Sequence, residues 1–80
     1  MSDYQIDQFL DARGLNCPLP LLKAKQALHK LAAGQILKIA ATDAGSVRDF
    51  RVYTDQSDHQ MLQSFSEGDD YIYIIRRGQA

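Results

Sequence analysis

Gly14-Leu15-Asn16-Cys17-Pro18-Leu19-Pro20 is the joint on which the reading of this chain turns. An apolar, strand-like run stops just before it, a helical repeat starts inside it, and the only cysteine of the chain lies between the two. Proline is tolerated in the first turn of a helix, where backbone N–H groups have no intrahelical partner and the ring already holds φ near its helical value. The spacing therefore predicts Pro18 at the first helical position and Cys17 at the N-cap. A thiolate there would face the positive end of the helix dipole, which lowers a thiol pKa below its free value. Pro20 has no N–H, so Leu19 is left as the local backbone donor and the sulfur is expected to be lightly held and open to another reactant. A solitary cysteine is often just a small buried apolar group. Cys17, however, lies off the apolar stripe of the helix that follows, which favours chemistry over packing.

Working outward, residues 6–11 read as a first strand around Phe9 and Leu10, and Ala12-Arg13-Gly14 turns the chain toward the cysteine. Gly14 can supply the positive φ such a turn needs. Residues 18–33 carry Leu21, Ala24, Leu28 and Leu31 on one helical face, with Leu22 and Ala27 alongside, and Gly34 is expected to end the helix as its C-cap. Lys23, Lys25 and Lys30 fall off that stripe, either as a solvated face or as a positive docking surface near Cys17.

Residues 35–41 alternate as a second strand, and the order strand, helix, strand predicts a parallel pair with a right-handed crossover. Cys17 and Asp43 then share the rim beyond the strand ends, where open α/β layers expose loops for chemistry. Asp43 could face the thiol or simply brace its own turn. Ser46-x-x-Asp49 has the spacing of a capping box, opening a second helix over 47–54 that buries Val47 and Phe50. Residues 59–66 and 71–76 form a hairpin through Glu67-Gly68-Asp69-Asp70. The unbroken run Tyr71 to Ile75 suits a strand covered on both sides or one used in association, and its inward face stays open. The expected fold is α+β, a two-layer βαβαββ sandwich with two helices packed on one face of a four-stranded mixed sheet.

Eighty residues, 45% of them hydrophobic, are expected to form one domain, 1–80, with residues 1–5 frayed. So small a core leaves little room for a deep substrate cavity, which favours a carrier or binding module over a self-contained catalyst. A net charge of −1 offers no general attraction to nucleic acid. Neither a signal peptide nor a membrane span is expected, and the cytoplasm, where a thiol stays reduced, is the expected compartment. His29 and His59 read as ordinary surface residues, and no metal-ligand spacing or phosphate-cradling glycine loop is present.

The pattern Leu10-Asp11-x-x-Gly14-Leu15-x-Cys17-Pro18-x-Pro20 resembles the signature of the TusA/SirA-like sulfur-carrier proteins, and the likeness extends through Asp43, Asp49-Phe50 and the final Tyr71-x-Tyr73-x-Ile75-x-Arg77. The resemblance implies that Cys17 carries sulfane sulfur as a persulfide, with Asp11, Gly14, Pro18 and Pro20 as supporting motif and no cofactor. It also implies a persulfide donor of cysteine desulfurase or rhodanese type. The acceptor would be another sulfur-relay protein, toward 2-thiouridine in transfer RNA, cofactor assembly or oxidation of sulfur compounds. Arg13 and Lys23 are the nearby charges expected to assist the thiolate. Ala44 and Asp58 depart from the family pattern outside the cysteine motif. The competing expectation is an RNA- or protein-binding module without thiol chemistry, similar to the C-terminal domain of a translation initiation factor. The acidic balance and the lack of a basic stripe with exposed aromatics count against it.

Overall fold

The computed structural model describes residues 4–79; residues 1–3 of the stretch expected to fray lie outside that range. The chain runs β1 (Gln8–Ala12), α1 (Leu19–Lys30), β2 (Ile36–Ala41), α2 (Ser46–Asp55), β3 (Gln60–Glu67) and β4 (Asp70–Arg76). The strands form one sheet in the order β1-β2-β4-β3. The β1/β2 pair is parallel and the other two pairs are antiparallel. This is the expected βαβαββ two-layer sandwich. Among the described residues no helix is long and apolar enough to cross a membrane.

Strand periodicity builds the core. Leu37, Ile39 and Ala41 point to one face of β2, in register with Ile75, Tyr73 and Tyr71 of β4, and this is the face both helices cover. Ala24, Ala27, Leu28 and Leu31 enter that core from the α1 side, and Phe50 enters it from α2. The run in β4 is explained by its interior place in the sheet. Tyr73 and Ile75 face the helices, while Ile72 and Ile74 on the opposite face are still only 3% exposed. Ile72 lies in register between Ala40 and Phe65, and Ile74 between Lys38 and Gln63, so each has a long or bulky cross-strand neighbour beside it.

The α2 contact with the sheet is an aromatic joint. The rings of Phe50 and Tyr73 stack with centroids 4.4 Å apart, and both residues are buried. The Tyr73 hydroxyl and Ser46 Oγ are 2.7 Å apart, and Ser46 Oγ donates to the Asp43 carbonyl at 2.7 Å. Two buried hydroxyls are thereby satisfied, each of which would cost about 1–3 kcal/mol if left unpaired.

Three local expectations are corrected. The first helix ends at Lys30 rather than Ala33: Leu31 turns extended, and its carbonyl accepts from the Arg77 guanidinium. Gly34, with φ +88°, is therefore not a C-cap. It makes the turn in which Gly34 N–H donates to Arg77 O and Arg77 N–H to Gln35 O, extending the β2/β4 ladder. The capping box is not formed, because Gly45 is the N-cap of α2 with no side-chain cap and both Ser46 and Asp49 are engaged elsewhere. Finally, Leu22 and Val47 are more than 40% exposed. Pro20 takes the inward place on α1, and α2 buries a narrow stripe of Ser46, Phe50 and Thr54. Two of those three are polar, so a hydrophobic pattern could not reveal it.

The hairpin turn is shorter than expected. Glu67 pairs with Asp70, leaving Gly68-Asp69 as a two-residue loop with Gly68 at φ +61°, the positive value that primed turns require at their first central residue. In urea titrations, Phe50→Ala should cost about 3–5 kcal/mol, a large share of the roughly 4–12 kcal/mol expected for a chain of this length. Tyr73→Phe should cost only about 1 kcal/mol, because Ser46 keeps its bond to the Asp43 carbonyl.

Candidate functional site

The site is assembled where the loop after β1 meets the loop after β2. Ala12 ends β1 opposite Ala41. Gly14, at φ +82°, then turns its N–H to Thr42 Oγ1 at 2.9 Å, tying the two loops together. Asn16 O accepts the Leu19 N–H at 2.8 Å, and Pro18 O accepts the Leu22 N–H at 3.1 Å. Pro18 is therefore the N-cap residue and Leu19 the first residue of α1, one position later than the prolines suggested. Cys17 stands just outside the helix, joined to Pro18 by a cis peptide bond. The Leu19 N–H expected near the sulfur is already used. Pro20 is buried and fills the top of the core; Pro18 is exposed.

Cys17 is exposed, and its Sγ donates to Asp49 Oδ2 at 2.8 Å. Asp49 lies in the first turn of α2, one residue before the inward Phe50 and so about 100° around the helix from it. Asp43 closes the other side. A β-carbon added at Gly45 would lie 2.9 Å from Asp43 Oδ2 and 3.7 Å from Cys17 Cβ, so a side chain there would displace the Asp43 carboxylate while meeting Cys17 at an ordinary contact distance. Asp43 Oδ2 is buried and has no hydrogen-bond partner among the described residues.

These carboxylates reverse the expected electrostatics of the thiol. The hydrogen bond to Asp49, followed by desolvation and the charges of Asp49 and Asp43, holds the Cys17 pKa above its ordinary value. The dipole effect fades within the first turn, and Cys17 lies outside it, whereas Asp49 is in direct contact. Asp43, left open as either a turn residue or a site residue, does both: its carbonyl receives Ser46 and its carboxylate acts on the sulfur.

Arg13 and Lys23 are not among the charges acting on Cys17. Arg13 is turned onto Asp11 through Nε at 2.8 Å and Nη2 at 3.0 Å, and reaches Asp70 at 3.5 Å. The Arg13 side chain first, and its backbone N–H second, lower the Asp11 pKa to about 2. Motif residue Asp11 thus braces the loop rather than touching the sulfur. Lys23 is exposed on α1. Lys25 lies over the Tyr53 ring, 5.0 Å from its centroid, at a groove of about 370 Å³ between α1 and α2 that Asp49 also lines. His29 is exposed. His59 is half-buried rather than a plain surface residue; it accepts the Gly78 N–H on Nδ1 at 2.9 Å. Burial first, then the charge of Arg77, lowers its pKa.

The residue missed by sequence reasoning is Asp49. Its spacing from Ser46 had a sufficient local explanation, and only the docking of α2 against the β1–α1 loop brings it to the sulfur. What the arrangement offers is an accessible, solitary thiol with an anionic surround and no metal cluster among the described residues.

Residues 8–77 match the family model described as Sulfurtransferase TusA. The chain is 44% identical over 77 residues to the sulfur carrier protein TusA of Allochromatium vinosum, covering 96% of this chain and 99% of that one. It is 39% identical over 72 residues to the putative sulfur carrier protein YrkI of Bacillus subtilis, covering 90% and 96%. Its fold superposes on the crystal structure of a SirA-like protein from Desulfitobacterium hafniense with a TM-score of 0.77 at 23% identity, covering 90% and 99% of the two chains. With a match of this extent and a cysteine loop built as described, the chain belongs to the TusA/SirA-like sulfur-carrier family.

Proposed function

We propose that Cys17 is the residue on which this protein carries sulfur, received from a donor persulfide and passed to an acceptor thiol. The supporting observation is the exposure of the single cysteine in a chain that belongs to a sulfur-carrier family. Exchange at sulfur needs a thiolate and open access to it, with no oxyanion hole.

In the loading step the Cys17 sulfur bonds to the outer sulfur of the donor persulfide, and the donor's S–S bond breaks. The donor's inner sulfur leaves as a thiolate and takes up the proton that Cys17 gave away. In the delivery step an acceptor thiolate attacks the outer sulfur and Cys17 is the leaving group. Each step exchanges one S–S bond for another, so no external oxidant or reductant is consumed.

The donor is a cysteine desulfurase or rhodanese-type protein, the acceptor a relay protein with its own thiol, and the compartment the reducing cytoplasm. The sulfur is passed on toward 2-thiouridine formation in transfer RNA or a related sulfur-trafficking route. After incubation with a persulfide donor, intact-mass measurement should show a gain of one sulfur atom, reversed by reductant and absent in Cys17→Ser. No gain with donors of either type would sink the assignment.

A further inference from the structure

We propose that Asp49 is a positioning residue that restrains Cys17, accepting the thiol hydrogen bond so that the unloaded carrier keeps its proton until a partner engages it. The inference rests on the carrier function of Cys17 and concerns what that thiol does between transfers.

The geometry admits two opposite roles for a carboxylate 2.8 Å from the sulfur, and magnitudes choose between them. As a base it would have to take the thiol proton. Ordinary carboxylic acids ionise near pH 4 and thiols near 8.5, so the proton favours sulfur by about four orders of magnitude. A carboxylate in contact therefore holds the proton on the sulfur far more than it removes it, and its charge also opposes formation of a neighbouring thiolate.

The groups facing Cys17 all act in this sense. Asp49 approaches from α2 and Asp43 from the β2–α2 loop, both disfavouring the thiolate. From the thiol's own loop, Arg13 is bound to Asp11 and Asp70. Lys23 of α1 does not act on the sulfur. Beneath the carboxylates, Tyr73 is itself raised, first by burial and then in part by Asp43 and Asp49, and supplies no positive charge. Asp43 Oδ2, buried and with no hydrogen-bond partner among the described residues, belongs to a carboxylate whose charge also opposes the thiolate.

Loading removes the restraint. Once the Cys17 sulfur is bonded to a second sulfur it has no proton to donate to Asp49. The new outer sulfur, about 2 Å farther along the side chain, is repelled by both carboxylates when ionised. The empty carrier is thus quiet toward stray electrophiles and disulfides, and the loaded one presents its cargo to solvent.

The test is the pH profile of Cys17 alkylation by iodoacetamide, in the wild-type protein and in Asp49→Asn and Asp49→Ala. The wild-type midpoint should lie above that of a free cysteine. Asp49→Asn, whose amide can donate to a thiolate, should move the midpoint down and speed alkylation about tenfold at neutral pH, corresponding to about one pH unit. Asp49→Ala should shift it in the same direction by less. A wild-type midpoint at or below the free-thiol value would overturn the proposal without recourse to any variant, and so would an unchanged profile in folded Asp49→Asn. Alkylation needs no sulfur donor. Failure of the wild type to gain sulfur would therefore remove the carrier function alone, whereas normal loading with an unmoved Asp49→Asn profile would remove the restraint alone.

Discussion

The stacked pair of Phe50 and Tyr73, with the hydroxyl of Tyr73 held by Ser46, is the contact on which the site depends. An aromatic pair of this kind contributes about 0.5–1.5 kcal/mol beyond the area it buries. Its larger effect is geometric. Phe50 sets the rotation of α2 about its axis, and Ser46, four residues earlier, fixes the first turn against β4 and the Asp43 carbonyl. With both settled, Asp49 has one direction left to face, and that direction is the cysteine loop. A packing contact in the core thereby determines the electrostatics of an exposed sulfur.

The thiol sits between two opposing fields. The start of α1 supplies positive potential, but Pro18 at the N-cap and Pro20 at the second helical position have no N–H to offer, and Asn16 O consumes the Leu19 donor. The carboxylates of Asp49 and Asp43 are nearer and carry full charge. Contact with a full charge outweighs a partial charge at the mouth of a helix one residue away. A carrier has reason to tolerate this balance, because a thiol that is always ionised exchanges with any disulfide it meets.

Strands and turns were the most readable features. Period-two alternation in β2 and the reversal around Gly68 need only local sterics, and Gly14 was marked by the turn that its positive φ makes possible. The end of α1 is not legible locally because Ala32 and Ala33 are good helix formers, whereas Leu31 turns extended and gives its carbonyl to Arg77, forty-six residues further on. The inward stripe of α2 was misread at Val47 because burial there follows Ser46, Phe50 and Thr54, and Thr54 is tolerated inside by donating its hydroxyl to the Phe50 carbonyl at 3.0 Å. The run in β4 was ambiguous until its pairing on both sides with β2 and β3 showed how Ile72 and Ile74 are covered.

By itself the sequence determined that a strand, a turn and a proline-led helix bring one cysteine to the end of a sheet, since these depend on residue types within a few positions of one another. The order of the strands and the approach of the Asp49 carboxylate to the sulfur were decided by tertiary structure alone. Asp49 and Cys17 are thirty-two residues apart, and no local propensity records which way a docked helix turns a polar residue. That direction is set by how Phe50 and Tyr73 fill the core between them.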